Sequence, residues 1–269
     1  MNKEGVKMDV TLNKTSATID KVELEKKVKD MYREVALNPK GEFHFEMGRA
    51  LAERLGYSPE DLDRIPAESI ESFAGVGYYF HFANINQEES VIDFGSGAGM
   101  DTFVAALKVG NNGSVVGIDM TDEQRAKANR LRDKAGFSQV SYLEGYLENV
   151  PSEAERFDVV ISNGVINLAP EKGKVFKEMA RVLKPGGRIA ISDIVTEIQL
   201  SEGITCNTNL WAACIGGAMQ QDNYKSAIEE AGFRIEKVKD NPQYQFISKS
   251  AQGASKEYGV KSISLSAIK

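Results

Sequence analysis

Between residues 91 and 194 short apolar runs alternate with stretches of helical periodicity, and few folds satisfy that order. The runs 91–94, 113–119, 140–144, 157–163 and 188–194 read as strands. Residues 100–109, 121–135 and 172–183 read as the helices between them, the second stopped by Gly136 and the third by Lys184-Pro185-Gly186-Gly187. Such alternation implies a parallel sheet covered by helices on both faces. Ligands in sheets of this kind bind beyond the carboxyl ends of the strands, where the strand order reverses.

The first strand runs straight into Gly95-Ser96-Gly97-Ala98-Gly99, preceded by Asp93 and followed by the helix-like 100–109. Three glycines at alternate positions let the backbone turn sharply and approach a ligand with no Cβ in the way, and they aim the amides of the next helix at it. The spacing is neither the G-x-G-x-x-G of dinucleotide folds nor the G-x-x-x-x-G-K-[ST] of a phosphate loop. The second strand ends in Asp119, 26 residues after Asp93. An acid there accepts hydrogen bonds from both hydroxyls of a ribose, and Met120 beside it lies against a purine.

The flanks are read more coarsely. Residues 1–18 are polar and read as a loosely ordered arm, or as an edge strand at 9–12. An amphipathic helix is predicted over 20–36, carrying Tyr32, a second over 46–55, and a short third introduced by Ser58-Pro59. Residues 73–82 are dense in aromatics, predicting a loop and strand on the core or a wall of a substrate pocket. Beyond 196 the alternation stops, and 196–221 reads as an insertion carrying Cys206, Trp211 and Cys214. A helix over 222–231 and strands over 233–238 and 261–268 complete the chain.

Composition excludes several function classes. A net charge of −6 with dispersed basic residues disfavours a nucleic-acid partner. No apolar window approaches the ~20 residues of a membrane span, and no leader-like stretch opens the chain, so a cytoplasmic protein without a membrane partner is expected. Two cysteines and two histidines form no recognisable metal site and no disulfide framework. The oligomeric state is not legible.

The segments 91–101, Gly117-Ile118-Asp119-Met120, 144–151, 157–163 and 181–187 together resemble the class I S-adenosylmethionine-dependent methyltransferases, in that family's order and spacing. The resemblance implies an α/β, three-layer Rossmann-like fold, with a mostly parallel seven-stranded sheet and an antiparallel C-terminal strand. It implies a methyltransferase domain at 86–269 with a substrate lid at about 196–221, behind an N-terminal arm and helical cap at 1–85. It also implies S-adenosylmethionine as cofactor and a small-molecule substrate. Gly95, Ser96, Gly97 and Gly99 would underlie its methionine part, Asp93 would stand by the ammonium and Asp119 by the ribose. Tyr146 and Leu147 would flank adenine, Asn163 and Val165 the carboxylate and sulfonium, and Tyr32 would fold over the cofactor.

A narrower likeness, carried by 160–168, Leu55-Gly56-Tyr57, Ile65-Pro66 and Trp211-Ala212-Ala213-Cys214, is to arsenite methyltransferases. These hold As(III) on three cysteine thiolates, and the matching positions here are Val76, Gly164 and Cys214. Cys206 and Cys214 stand about 80° apart around a helix. If 206–219 is helical they share a side, with Trp211 between them, and two buried cysteines are the plainer reading. Methyl transfer by in-line displacement needs no covalent residue, so no catalytic side chain is assigned; His44, His81 and Glu46 are the candidate bases, and each is more simply a surface or cap residue. Three readings stay open: a small-molecule methyltransferase, an arsenite or thiol methyltransferase using Cys214, and a non-catalytic cofactor-binding module.

Overall fold

The computed structural model describes residues 19–212 and 215–269; the edge strand expected at 9–12, and Cys214, lie outside them. The sheet has strands β1 (Ser90–Phe94), β2 (Ser114–Asp119), β3 (Val140–Glu144), β4 (Phe157–Asn163), β5 (Leu183–Thr196), β6 (Met219–Gln220), β7 (Arg234–Asp240) and β8 (Lys261–Ile268). Their order is β3-β2-β1-β4-β5-β8-β7, and the two-residue β6 pairs with the far end of β5. The first five strands run parallel, and β8 runs antiparallel to both β5 and β7. This is the expected mostly parallel sheet of seven strands, with β6 as an eighth.

Chain order reverses between β1 and β4, which is where a crevice opens at the carboxyl ends of the strands. The strand residues alternate between two cores. Val91, Val115, Val159 and Ile161 face one, and Ile92, Phe94, Val116 and Val160 face the other, as the two-residue period of a strand requires.

The helices are α1 (Lys21–Leu37), α2 (Arg49–Leu55), α3 (Pro59–Leu62), α4 (Ala67–Glu71), α5 (Phe80–Ala83), α6 (Met100–Val109), α7 (Asp122–Ala135), α8 (Lys172–Val182), α9 (Glu202–Thr205), α10 (Thr208–Ala212), α11 (Gln221–Glu230) and α12 (Lys249–Tyr258). Asp20 caps α1 by accepting from the N–H groups of Val22 and Glu23, and Ser58 caps α3 by accepting from Asp61. The buried side of α1, with Leu24 and Val28, joins Val76, Leu168 and Trp211 in a third, smaller apolar cluster. That cluster sets α1 across the strand ends instead of out in solvent.

Three expectations change. Residues 73–79 form no strand: they run irregularly into α5 and pair with the side chain of Asn163 instead of a sheet neighbour. The stretch 206–219 is not one helix, because Cys206 caps the end of α9, α10 starts afresh at Thr208, and β6 follows. Cys206 therefore closes the short α9 and does not open a helix of its own. Finally, β5 begins at Leu183, which pairs with Phe157 before a bulge in the strand shifts the register to Arg188 opposite Val159.

Candidate functional site

Register brings the carboxyl ends of β1, β2 and β4 level: Phe94 stands beside Ile118 on one side and Ser162 on the other. The next residues of each strand therefore meet at one place. The glycine loop after β1 is fastened there, because the N–H groups of Gly95 and Ser96 both donate to the Ile118 carbonyl, at 2.8 and 2.9 Å. Gly97 N–H donates to Asp119 Oδ2 at 2.9 Å.

Two glycines in the loop are required by their surroundings. Gly95 has φ +75°, and a Cβ there would lie 2.7 Å from the Val165 side chain. Gly99 has φ +91°, and a Cβ there would overlap the buried Tyr142 hydroxyl. Both positive angles are comfortable only for glycine.

Above this loop lies a cavity of about 350 Å³. Its floor is Asp93, Gly95, Ser96, Gly97, Ala98 and Asp101; one wall is Asp119, Met120, Gln124, Gly145, Tyr146 and Leu147; the opposite wall is Asn163, Gly164, Val165 and Leu168. Helix α1 closes the top with Leu24, Glu25, Val28 and Tyr32, and Phe73, Ala74 and Gly75 fill a side. The aromatic stretch is thus both a core element and a pocket wall.

The cavity's electrostatics are one-sided. Asp93 is 2% exposed, and its Oδ2 accepts from Thr102 Oγ1 at 2.6 Å. Burial, then the charge of Asp101, pushes the Asp93 carboxyl well above the usual range. Asp101 accepts from Tyr57 Oη at 2.6 Å, Tyr79 Oη at 2.7 Å and Asn163 Nδ2 at 3.0 Å. Burial raises its pKa, and those three donors pull the other way. Asp119 is also raised by burial, against its hydrogen bonds from the Thr121 and Gly97 amides. Asp93, Asp101 and Asp119 thus face a largely apolar space whose lining also holds Glu25, Glu148 and Glu171, and the lining's sole basic side chain among the described residues is Lys21, paired with Glu171. Such a space favours a ligand carrying positive charge.

Most residues singled out in the sequence stand around this cavity: Tyr32, Asp93, Gly95, Ser96, Gly97, Asp119, Met120, Tyr146, Leu147, Asn163, Val165 and Gly164. Gly99 shapes the loop from behind, against Tyr142. Asn163 is committed to the protein: its Oδ1 accepts from Val76 and Gly77, and its Nδ2 donates to Tyr57, Gly77 and Asp101. It therefore holds the 75–77 segment in place rather than presenting a free amide.

The other candidates lie outside the lining. Val76 is buried, and its Cγ1 lies 3.1 Å from where a Cβ of Gly164 would be, so these two positions are already packed together. Trp211 donates from Nε1 to the Thr205 carbonyl at 2.6 Å and carries the Lys172 ammonium 4.8 Å from its ring, a wholly internal role. Cys206 is half-buried at the end of α9. Among the candidate bases, Glu46 pairs with Arg54 and His81 stacks on Tyr78; neither these nor His44 lines the cavity.

Sequence reasoning missed Gln124, Asp101 and the tyrosines that hold Asp101. Gln124 sits five residues past Asp119 on α7, in a first turn that reads as ordinary polar helix. No local pattern announces that Asp101, Tyr57 and Tyr79 meet.

Residues 85–232 match the family model described as a methyltransferase domain. The chain is 39% identical over 198 residues to an arsenite methyltransferase of Halobacterium salinarum, covering 73% of this chain and 50% of that protein. It is 34% identical over 116 residues to a ubiquinone/menaquinone biosynthesis C-methyltransferase of Proteus mirabilis, covering 42% of this chain and 46% of that protein. The crystal structure of an arsenic(III) S-adenosylmethionine methyltransferase from Chlamydomonas reinhardtii superposes with a TM-score of 0.62 at 29% identity, over 83% of this chain and 74% of that one. The chain spans about half the length of the curated relatives it matches.

Proposed function

The chain belongs to the class I S-adenosylmethionine-dependent methyltransferases, and from that premise we propose that it transfers a methyl group from S-adenosylmethionine to a small-molecule acceptor that is not tris-thiolate-bound arsenic(III). The observation that carries the reading is the set of three aspartates, the buried Asp93 and Asp101 and the half-buried Asp119, in a predominantly acidic cavity lining at the sheet's switch point. A donor with a sulfonium and an ammonium group answers that charge.

The residues present fit such a cofactor. A backbone cradle in which a Cβ at Gly95 would strike Val165 leaves room only for backbone under the ligand. Two buried polar atoms of the lining, Ser96 Oγ and Gln124 Oε1, have no protein partner, as expected of groups that await one. When bound, S-adenosylmethionine supplies a methyl group on a sulfonium, which is electrophilic without help from the protein.

The chain's own residues have three tasks. Asp93 pairs with the ammonium, and Asp119 accepts from the ribose hydroxyls while its other lone pairs keep Gly97 and Thr121 in place. Met120 and Leu147 offer apolar surface to the adenine, with Tyr146 over the rim. Leu24, Val28 and Tyr32 of α1 exclude water from the reacting centre, and Val165, Leu168 and Ala74 orient the acceptor toward it.

The acceptor is where the chain parts from arsenite methyltransferases. Trigonal As(III) on thiolates needs three soft donors. Of the matching positions, Val76 and Gly164 offer none and are packed against each other. An assay for S-adenosylhomocysteine release, with arsenite plus thiol in one arm and a panel of apolar phenols, amines and carbon acids in the other, tests the reading. Turnover on the second arm only is expected. Turnover on arsenite would contradict the choice of acceptor, and tight cofactor binding with no turnover in either arm would favour a binding module.

A further inference from the structure

Helix α1 rests on α7 through side chains of α7 that reach carbonyls of α1. Gln124 Nε2 donates to the Tyr32 carbonyl at 2.9 Å, Lys127 Nζ donates to the Ala36 carbonyl at 3.1 Å, and Arg33 pairs with Glu123 at 3.0 Å. Of the α7 residues in these contacts, only Gln124 also lines the cavity. It is 1% exposed, and its Oε1 has no hydrogen-bond partner. That oxygen lies 3.7 Å from where a Cβ of Gly97 would be, beside the loop amide that Asp119 holds. One amide group thus ties the cap helix with its NH₂ and leaves its acceptor over the glycine loop.

We infer that Gln124 is a positioning residue that couples cofactor binding to closure of α1: its Oε1 accepts from a ribose hydroxyl beside Asp119 while its Nε2 keeps hold of the Tyr32 carbonyl. This rests on the cofactor reading above and adds a residue and a consequence to it. A buried carbonyl oxygen without a donor is costly, so the free protein carries that cost and the bound one does not. Filling the acceptor fixes the side chain, and the fixed side chain in turn fixes Tyr32 and the helix that bears it. The Lys127 and Arg33 contacts lie outside the cavity, so they hold α1 equally in both states.

The test uses the full chain, S-adenosylhomocysteine as probe, and two variants. Gln124→Met keeps the shape and removes both polar atoms; Gln124→Glu, read above the pH at which its buried carboxyl ionises, keeps an acceptor and removes the donor. For wild type, the probe is expected to slow amide exchange in residues 21–37. In Gln124→Met the affinity is expected to fall about tenfold, the melting temperature of the free protein to hold or rise, and the probe-induced protection of 21–37 to vanish. In Gln124→Glu the affinity is expected to stay within about threefold while the protection is lost. Unchanged affinity in Gln124→Met, or full protection of 21–37 in both variants, would overturn the inference with the cofactor site intact. Failure of wild type to bind the probe would overturn the cofactor reading itself.

Discussion

At the residue scale the loop glycines and the acids do different work, and each has its own test. Gly99 combines a left-handed φ with a Cβ position that the Tyr142 hydroxyl already fills. Gly99→Ala is therefore expected to cost about 3 kcal/mol or more in urea unfolding, from backbone strain and overpacking together. A loss under 1 kcal/mol would mean that the loop has another comfortable shape.

Asp93 titrates instead. Burial and the neighbouring Asp101 raise its pKa in the free protein, whereas its pairing with an ammonium requires the carboxylate. Binding must then release a proton. The sign follows: affinity rises with pH, by up to about tenfold per unit, from the ordinary carboxylate range up to the raised pKa of Asp93, and is flat above it. Calorimetry of S-adenosylhomocysteine binding in two buffers of different ionisation enthalpy measures that proton directly, and Asp93→Asn is expected to abolish it. Without ligand the linkage is opposite. A raised carboxyl contributes stability present below its unfolded pKa and lost as pH climbs through the folded one, so the free protein loses stability over the window in which its affinity for the ligand rises.

The same scale shows what was legible in the sequence. Asp93, Gly95, Gly97 and Asp119 were readable because each acts within a strand-to-helix turn, where local spacing carries the meaning. Asp101, Tyr57 and Tyr79 were not, since the hydrogen bonds that join them to one another and to Asn163 span 22 to 106 residues. Val76 and Gly164 were located by likeness, and only the packing disclosed that one fills the space of the other.

At the scale of elements, strands and long helices followed from period and punctuation, and the errors have physical causes. Residues 73–79 carry aromatics suited to a strand, yet Asn163 takes their backbone groups, so tertiary pairing overrode propensity. Helix α12 escaped notice because only Ala251 in it is buried and Gly253 sits at its middle. That glycine has open space where a Cβ would go. Gly253→Ala is expected to stabilise the protein by about 0.5–1 kcal/mol with no change in cofactor affinity, measured by denaturant midpoint and calorimetry. The Glu25–Lys29–Tyr146 group, in which Lys29 donates to Glu25 at 2.7 Å and to Tyr146 at 2.8 Å, also spans α1 and the cavity rim. Its partners are substantially exposed, so Tyr146→Phe is expected to change S-adenosylhomocysteine affinity by less than about threefold in the same titration.

At the scale of the whole molecule, a parallel sheet whose order reverses at β1 and β4 puts the glycine loop, Asp119 and Asn163 at one edge, and α1 folds back over them. No helix among the described residues is long and apolar enough to cross a membrane. The sheet and its switch point were foreseeable from alternation alone; the roof was expected only from the family resemblance, through Tyr32 and the helical cap, because the contacts that hold α1 come from Gln124 and Lys127 on a helix some 90 residues away. The division of labour is therefore clear in outline: the local motifs make a donor site, and distant packing shapes what the donor meets.

The central claim is that the acid-lined cavity takes S-adenosylmethionine. Titration calorimetry of the full chain with S-adenosylmethionine is expected to give one site with micromolar affinity, weakened about tenfold or more in Asp119→Asn, whose amide can no longer accept charge-assisted bonds at both oxygens. No binding at millimolar cofactor, or equal binding by wild type and Asp119→Asn, would contradict it.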